Sequence, residues 1–310
     1  MILTVTLNPS IDRRYNVQNF EKGNIFRTNK YQYTAGGKGL NVAKVIENLN
    51  ERVIATGLIG GRNGEFIKEE LDKRGIKYQF TPINGETRSC LAILSNDGSQ
   101  TEILEGGPLI SKAEMEEFLQ LYDLLIEDVD IICASGSIPQ GVSTDIYKDL
   151  IKRAKRKGKK LILDTSGAPL KAAIEMAPSI IKPNLEELEA LVGNKMTEKQ
   201  DIVESGKELL ERGIEIVVIS LGKEGVMALN DGHLYQVTVP EIRAVNPVGS
   251  GDSLVGGLAV AIGRGYDLEQ SLRLAAACGT ANAMEAETGK VDLKNVEALL
   301  NKIQLKKTKI

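Results

Sequence analysis

The sequence has no tryptophan, a single histidine, three cysteines and a formal net charge of only −3 over 310 residues. The one histidine, His233, follows Asp231-Gly232, a pair typical of a hairpin turn, so no histidine is left for a serine hydrolase triad. The cysteines lie far apart, at Cys90, Cys133 and Cys278, without the spacing of a zinc site. Widely separated thiols in odd number are typical of the reducing cytosol, so we expect a cytoplasmic protein.

The chain also lacks a basic surface and a long apolar run. Its 39 lysines and arginines are outnumbered by 42 aspartates and glutamates, so the chain has no strong positive field to attract nucleic acid. No apolar stretch is long enough to cross a bilayer, and residues 1–7 lack the basic leader of a signal peptide. We therefore expect no nucleic-acid partner, no membrane partner and no secretion.

The clearest positive signal is an alternation of strand-like and helical segments. This alternation predicts an α/β fold in which helices cover both faces of a mostly parallel sheet. Hydrophobic residues make up 42% of the chain and charged residues 26%, as in soluble globular proteins. We predict a single domain over residues 1–310. The predicted strands are Val53–Ile59, 129–134, Lys160–Asp164, 179–182 and 215–220.

Two segments, near 13–35 and 86–106, break the alternation of strands and helices. Both show the polar alternation of β structure, and no helix separates their strands. Such segments are able to pair into a small sheet that projects from the edge of the main one. A small sheet beside a ligand crevice would serve as a lid.

The sharpest local motif is Asn246-Pro247-Val248-Gly249-Ser250-Gly251-Asp252-Ser253, which precedes an apolar helix predicted over residues 254–262. Glycines before a helix leave backbone N–H groups free, and the helix dipole adds positive charge, so the motif predicts an anion hole. Asp252 would place a proton acceptor beside that hole. The alternative interpretation is a glycine turn in which Asp252 only caps the helix. Neither a P-loop nor a dinucleotide fingerprint fits this motif.

A second glycine-rich motif is Gly36-Gly37-Lys38-Gly39-Leu40-Asn41, before a helix predicted over residues 42–49. Its glycines allow the backbone to approach a polar ligand closely, and Asn41 is able to hydrogen bond to sugar hydroxyls. Asp12, just after the first strand, has the carboxylate to accept bonds from two adjacent hydroxyls. Asp12 is also explained as an ordinary turn residue.

Two arginines in the lid segments, Arg27 and Arg88, suggest a substrate with its own phosphate, because guanidinium groups match phosphate oxygens. Both are equally explained as surface residues. Asn184 and Glu187 have the spacing of a capping box at a helix start, which is a sufficient structural explanation. Ser220-Leu221-Gly222-Lys223-Glu224-Gly225 is a glycine turn at a strand end that could lie against a nucleotide.

Taken together, these motifs make the chain resemble the ribokinase-like carbohydrate kinases of the PfkB family. The resemblance covers nearly the whole length, with four motifs in the family's order. It implies a three-layer sandwich with a mostly parallel central sheet, a small β lid that forms a homodimer clasp, and phosphoryl transfer from ATP with Mg²⁺. The need for a monovalent cation and the number of subunits stay open.

The resemblance also implies roles for single residues. Asp252 is the expected base, and the amides of Gly249, Ser250 and Gly251 form the expected anion hole. The residues that match the substrate side are Asp12, Arg27, Gly36, Gly37, Lys38, Asn41, Arg88 and Ser137. Those that match the nucleotide side are Lys182, Asn184, Glu187, Ser220, Gly222 and Gly225, with Glu187 holding Mg²⁺ through water.

Within the family, residues 4–12 are similar to the phosphofructokinase and tagatose-6-phosphate kinase branch. Residues 86–94, 101–105 and 246–253 are most similar to tagatose-6-phosphate kinase of the lactose and galactose route. The expected product is then D-tagatose 1,6-bisphosphate. The alternative is a 1-phosphofructokinase. A third interpretation is a sugar-phosphate sensor without catalysis, but such a sensor should lack the base, and Asp252 is present. The sequence departs from the family pattern at two positions. Ile25 stands where some fructose-6-phosphate kinases carry lysine, which weakens the interpretation as a fructose-6-phosphate kinase. Ser250 stands where many relatives carry alanine, and this change keeps the backbone N–H.

Overall fold

A computed structural model describes residues 1–310, and its fourteen strands and ten α-helices alternate through most of the chain. The strands are β1 (Ile2–Thr6), β2 (Ser10–Val17), β3 (Tyr31–Gly36), β4 (Val53–Ile59), β5 (Lys77–Pro82), β6 (Arg88–Ser95), β7 (Gln100–Leu104), β8 (Ile131–Ser135), β9 (Lys160–Asp164), β10 (Ile180–Ile181), β11 (Ile216–Ser220), β12 (Val226–Asn230), β13 (His233–Thr238) and β14 (Gln304–Lys309).

The helices complete the inventory of regular structure. They are α1 (Lys38–Asn48), α2 (Gly61–Arg74), α3 (Lys112–Leu125), α4 (Ile146–Arg156), α5 (Gly167–Ala173), α6 (Leu185–Val192), α7 (Lys199–Glu211), α8 (Ser250–Gly263), α9 (Leu268–Ala283) and α10 (Leu293–Leu300). Three short 3₁₀ turns lie between them, at Ile126–Asp128, Ile174–Met176 and Gly222–Glu224. No helix is both long enough and apolar enough to span a bilayer.

The main sheet has ten strands in the order β14-β13-β12-β11-β10-β9-β8-β1-β4-β5. The seven strands from β11 to β5 pair in parallel, whereas β12, β13 and β14 add an antiparallel edge. A two-residue turn joins β12 to β13, with φ of 44° at Asp231 and 68° at Gly232. The predicted hairpin at His233 is therefore confirmed, because positive φ at both central residues is typical of such turns.

The sheet separates two hydrophobic cores. Alternate side chains of one strand enter different cores, as Cys133 and Ala134 of β8 do. Helices α1, α2, α8, α9 and α10 pack on one face, and α3 to α7 pack on the other. The predicted sandwich of a mostly parallel sheet between two helical layers is confirmed.

Two helices begin one turn earlier than the sequence pattern predicts. The predicted starts at residues 42 and 254 follow the first apolar residues, but α1 begins at Lys38 and α8 at Ser250. Glycines with positive φ, 103° at Gly37 and 85° at Gly249, precede them as N-caps. Their polar first turns carry no hydrophobic period to signal a helix. The difference matters because it places the motif side chains on rigid helix ends.

A second sheet of four strands, called the lid sheet here, has the order β3-β2-β6-β7. Strands β2 and β6 run in parallel, and the two outer pairs are antiparallel. These strands coincide with the two segments predicted to form a small sheet, except that β2 begins three residues earlier and β3 ends one residue later. The prediction of β structure throughout 13–35 is wrong, because β2 ends at Val17 and β3 begins only at Tyr31.

Candidate active site

A large cleft, with a volume of about 1250 Å³, lies where the parallel strands of the main sheet end. Residues just after β1, β8, β9, β10 and β11 line its floor, and the lid sheet forms one wall. The crevice outside the carboxyl ends of the strands is the usual ligand site of open α/β sheets. The cleft is therefore where the predicted site residues have to meet.

Asp252 lies in the first turn of α8 and is only 7% exposed. The amide nitrogen Nδ2 of Asn41, in the first turn of α1, donates to its Oδ2 at 2.8 Å. Burial raises the pKa of Asp252 to about 6, and Asp164 adds to the rise, while Lys38 and the Asn41 hydrogen bond oppose it. A carboxyl with such a pKa is charged near neutral pH and still basic enough to accept a proton.

The predicted anion hole is realised in part. The N–H groups of Gly249, Gly251 and Asp252 have no acceptor within the protein, but the Ser250 N–H donates to the Pro247 carbonyl at 3.2 Å. The hydroxyl of Ser250 is buried and has no partner, so it is available as a donor instead. The ammonium of Lys182 lies beside Gly251, 3.4 Å from the position a Cβ would occupy there. Free N–H donors and a lysine at a helix start favour binding of a phosphoryl group.

Asp164, which the sequence reasoning missed, lies at the centre of the cleft's charges. Its Oδ1 is 3.1 Å from Nζ of Lys38 and 3.4 Å from Nζ of Lys182. Burial alone would raise the pKa of Asp164, but the two lysines outweigh burial and lower it. The signal was present in the sequence, since Asp164 is the last residue of a predicted strand and the ends of parallel strands line such sites.

Two carboxylates have the chemistry to hold magnesium. Asp164 Oδ2 is buried without a hydrogen-bond partner, and Glu187 faces the cleft with Oε1 3.7 Å from Nζ of Lys38. The chain has no group of three or more metal-ligating side chains. Mg²⁺ commonly binds one or two carboxylates and completes its shell with water and substrate phosphates, so the residues present fit this ion.

Asn184 and Glu187 form the capping box that their spacing predicts at the start of α6. Glu187 N–H donates to Asn184 Oδ1 at 2.7 Å, and Asn184 N–H donates to Glu187 Oε2 at 2.9 Å. Both residues nevertheless line the cleft, so the structural explanation and the site position hold together. The box fixes the Glu187 carboxylate at the cleft wall.

The glycine turn after β11 forms another part of the cleft wall. Ser220, Gly222 and Gly225 all line the cleft. Gly225 has φ of 96°, and a Cβ there would collide with the Val237 carbonyl, so only glycine fits. At Gly222 and Gly225 the turn therefore brings backbone without a side chain to the cleft wall.

The lid side of the cleft carries Asp12 and Arg88. Asp12, on β2, accepts a hydrogen bond from Ser10 Oγ at 2.7 Å and packs so closely on Gly36 that a Cβ there would clash with its carboxylate. Burial raises the pKa of Asp12, while Ser10, Lys44 and Arg88 oppose the rise. Arg88 donates to the carbonyls of Asn8 and Glu105, at 3.2 and 2.8 Å, which fixes its guanidinium at the cleft.

The remaining predicted substrate residues divide into two groups. Gly37, Lys38 and Ser137 line the cleft, and the Ser137 hydroxyl accepts a hydrogen bond from Asn8 Nδ2 at 3.2 Å. Arg27 does not line the cleft: it is exposed in the segment between β2 and β3. Of the two arginines that the resemblance implies on the substrate side, only Arg88 lines the cleft within one chain, because residues 18–30 form no strand beside the cleft.

Arg14 is a second residue that the sequence reasoning missed. It lines the cleft from β2 and donates to the Ala286 carbonyl across the cleft. Strand alternation was the available signal, since residues 12 and 14 of one strand point to the same face.

The geometry describes a phosphoryl-transfer site. A helix start with free N–H groups, a lysine and a buried carboxylate lie at one part of the cleft, and polar lid residues lie at another. Phosphoryl transfer needs positioning and charge stabilisation more than covalent chemistry, and this arrangement supplies both. Fold and site together define the class of protein as a kinase that acts on a small polar acceptor.

Known proteins agree with this class. The family model described as pfkB family carbohydrate kinase matches residues 5–294. Phosphofructokinase-2 from Escherichia coli, in its complex with potassium, has a TM-score of 0.92 and 28% identity, over 97% of this chain and 98% of that chain. A Thermotoga maritima protein described as a possible 1-phosphofructokinase has a TM-score of 0.91 and 27% identity over the full length of both chains. A Staphylococcus aureus protein described provisionally as a phosphofructokinase is 30% identical, with a TM-score of 0.85, over 100% of this chain and 99% of that chain.

The chain belongs to the pfkB family of carbohydrate kinases. It has the family's ribokinase-like fold and is a sugar-phosphate kinase. Kinases of this family use ATP, and Mg²⁺ is general for kinases.

The environment of Asp252 makes a prediction about its titration. The carboxyl should lose its proton near pH 6 and be negatively charged above that pH. Asn41→Leu, which removes the donor but keeps most of the volume, should raise the pKa further, because the Asn41 bond stabilises the charged form. The measurement is a pH titration of the ¹³C carboxyl signal, assigned by its loss in Asp252→Asn. A signal that titrates below pH 4 would show that the carboxyl is not desolvated.

Proposed function

We propose that the chain transfers the γ-phosphoryl group of ATP to the C1 hydroxyl of a ketohexose 6-phosphate, with D-tagatose 6-phosphate as the preferred acceptor. The observation that carries the proposal is Asp252, a buried carboxylate of raised pKa beside the free N–H groups at the start of α8. Arg88 and Asp12 line the same cleft from the lid sheet. The whole chain then acts as one kinase domain, in which the body supplies the chemistry and the lid holds the sugar.

In the proposed mechanism, Asp252 accepts the proton of the sugar hydroxyl as that oxygen attacks the γ-phosphorus of ATP. The bond from the γ-phosphorus to the β–γ bridging oxygen breaks, and ADP leaves. The N–H groups of Gly249 and Gly251, the Ser250 hydroxyl and Lys182 stabilise the charge on the transferred group. Mg²⁺, when bound, would neutralise phosphate charge beside Asp164 and Glu187. The turn that contains Ser220, Gly222 and Gly225 supports the nucleotide.

The acceptor side of the cleft supports a phosphorylated sugar. Arg88 spends two N–H groups on backbone carbonyls and keeps its remaining donors for a ligand phosphate. Asp12 accepts one hydrogen bond from Ser10 and has oxygen lone pairs left for sugar hydroxyls. Gly37, Lys38, Asn41 and Ser137 complete the acceptor side of this proposal.

A second candidate substrate is fructose 1-phosphate. The Thermotoga maritima protein described as a possible 1-phosphofructokinase aligns with this chain over its full length. Fructose 1-phosphate would have to bind in the reverse direction, with its C6 hydroxyl at Asp252. Tagatose 6-phosphate is our choice because residues 86–94, 101–105 and 246–253 resemble those of its kinase most.

We also propose a homodimer through the lid sheet. On the face of this sheet away from the cleft, Tyr15, Tyr31 and Tyr33 form an aromatic cluster, with Tyr31 and Ile103 each 57% exposed. An apolar face of this kind favours association, and Escherichia coli phosphofructokinase-2 has a tetrameric inhibited form. Arg27 keeps its proposed role as a phosphate ligand only if it reaches the cleft of a second copy.

The proposal also includes a monovalent cation and a cellular location. The Escherichia coli enzyme was solved with potassium, so we propose that a monovalent cation also binds this chain. ATP and sugar phosphates are cytoplasmic metabolites, so we place the enzyme in the cytoplasm.

Removing the charge of Asp252 tests the proposed base. Asp252→Asn should lower kcat by roughly 100-fold or more, the usual scale for loss of a general base, with nucleotide binding retained. The measurement is steady-state ADP release together with ATP binding by calorimetry. The matched control is Asp231→Asn, the same change in the exposed β12–β13 turn, which should leave kcat unchanged. Normal turnover in folded Asp252→Asn would refute the assignment.

Removing the guanidinium of Arg88 tests the phosphate end. Arg88→Ala should raise the KM for the sugar phosphate about tenfold to a hundredfold, because a lost charge-assisted contact costs about 1.5 to 3 kcal/mol. The KM for ATP should change far less. Arg156→Ala, an exposed arginine on α4 outside the cleft, is the control. Equal effects on both substrates would mean that Arg88 supports the fold rather than the phosphate.

The acceptor itself is tested with tagatose 6-phosphate, fructose 6-phosphate and fructose 1-phosphate. We expect kcat/KM to be highest for tagatose 6-phosphate and lower for fructose 6-phosphate, which differs from it only at C4. The difference in kcat/KM between these two substrates should be small unless Asp12 or Asn41 binds the C4 hydroxyl. ³¹P NMR of the product should show a new phosphate at C1. A preference for fructose 1-phosphate would overturn the tagatose assignment and leave the kinase mechanism standing.

A further inference from the structure

Lys44, in the second turn of α1, is a lysine in an unusual place. It is 1% exposed, and no carboxylate oxygen lies within 4.0 Å of its ammonium. Its two acceptors are Asn41 Oδ1 at 3.1 Å and the Thr288 carbonyl at 3.4 Å. Buried lysines are rare unless paired, because their desolvation costs several kcal/mol per ion. Because burying this ammonium costs free energy, we expect Lys44 to provide an interaction in return.

The contact with Asn41 fixes the direction of an amide. An ammonium only donates hydrogen bonds, so Lys44 requires the oxygen of Asn41 on its own side. The amide nitrogen must then point the other way, where it donates to Asp252 Oδ2 at 2.8 Å. If the amide turned over, Lys44 would face a donor and Asp252 would face an oxygen. Residues 41 and 44 are three apart on one helix, the spacing that brings side chains together.

The contact with Thr288 joins Lys44 to the turn before α8. Next to Thr288, Gly289 N–H donates to Asn282 Oδ1 at 2.8 Å, and Asn282 Nδ2 donates to the Val248 carbonyl at 2.9 Å. Val248 belongs to the glycine motif that carries the free N–H groups. One buried ammonium therefore touches both the amide that contacts Asp252 and the segment that supports the phosphoryl-binding turn.

The charges around Lys44 come from four elements. Asp12 on β2, Asp252 on α8 and Glu287 after α9 favour its charged form, and Arg74 on α2, which pairs with Glu287, opposes it. Burial is the largest influence and lowers the pKa of Lys44. Asp252 itself is influenced by Asp164, Lys38, Asn41 and Lys182. Loss of the Lys44 charge would leave Asp12 and Asp252 without one of their positive neighbours.

We propose that Lys44 is a positioning residue for phosphoryl transfer, which holds the Asn41 amide so that its nitrogen donates to Asp252 and keeps that carboxylate aimed at the acceptor hydroxyl. This inference rests on the proposed role of Asp252 as the base. Lys44 itself need not touch sugar, nucleotide or metal.

The test compares Lys44→Met, Lys44→Gln and Lys44→Arg with Asp252→Asn in the full-length protein. Methionine fills similar space without a donor, glutamine restores a donor without charge, and arginine restores both. For each variant, kcat, both KM values and the pH dependence of kcat are measured with the sugar phosphate preferred by the wild type, and the melting temperature by calorimetry. Lys148→Met, which removes a lysine with surface ion pairs outside the cleft, is the matched control.

We expect Lys44→Met to lower kcat about tenfold to a hundredfold, the scale for a misplaced catalytic group, with smaller changes in KM. The acid limb of its pH profile should move to higher pH by about one unit, because Asp252 loses a donor and a nearby positive charge. Lys44→Arg should return the limb towards the wild-type position. Lys44→Gln should recover part of kcat, and it serves as the test if arginine disrupts packing.

Two outcomes overturn the proposal. In one, Lys44→Met keeps the wild-type kcat and acid limb while Asp252→Asn is inactive. In the other, Lys44→Met lowers only the melting temperature, or lowers kcat without moving the acid limb, which would make Lys44 a structural residue. Normal turnover in Asp252→Asn is a separate result, because it removes the base itself and not only its positioning.

Discussion

The hydrogen bond from Asn41 to Asp252 is the contact on which the arrangement of the site depends. It joins the first turns of α1 and α8, two helices that pack on the same face of the main sheet. Both helices start after glycines with positive φ, and the polar side chains of their first turns, Lys38 and Asn41 in α1 and Ser250 and Asp252 in α8, line the cleft. A rigid pair of helix starts can hold a carboxylate and free N–H groups within a fixed distance, as catalysis by positioning requires.

The charges of the cleft have to be considered as one group. Two lysines hold the pKa of Asp164 low, whereas burial and the neighbouring Asp164 keep the pKa of Asp252 high. Opposite shifts of two neighbouring carboxyls are typical of sites in which one group stays charged and the other exchanges a proton. Lys38 takes part in both effects: burial would lower its pKa, but Asp164, Asp252 and Glu187 raise it. One ammonium thus links the two carboxylates proposed to hold Mg²⁺ to the proposed base.

In the proposed mechanism, the main sheet carries the chemistry and the lid sheet selects the acceptor. The main sheet places Asp164, Lys182 and the glycine turn at residues 220–225 at strand ends that are fixed by two cores. The lid sheet carries Asp12, Arg14 and Arg88 on the face towards the cleft and an exposed aromatic cluster on the other. Changes in the lid can therefore alter the acceptor without moving the catalytic group, which suits a family in which related chains phosphorylate different sugars.

The sequence by itself determined the fold class, the four motifs and a set of candidate residues, most of which line the cleft. Helical and strand periods, glycines before helices and the capping box at Asn184 are local signals, and local signals can be found without knowing the fold. The tertiary structure alone decided which residues meet. Asn41 and Asp252 are 211 positions apart, and Lys38 and Asp164 are 126 apart, so no spacing rule connects them. The sequence predicted Arg27 and Arg88 equally as phosphate ligands, but only Arg88 lies at the cleft. Pairing with β2 in the lid sheet holds β6, which carries Arg88, beside the cleft, whereas residues 18–30 belong to no strand.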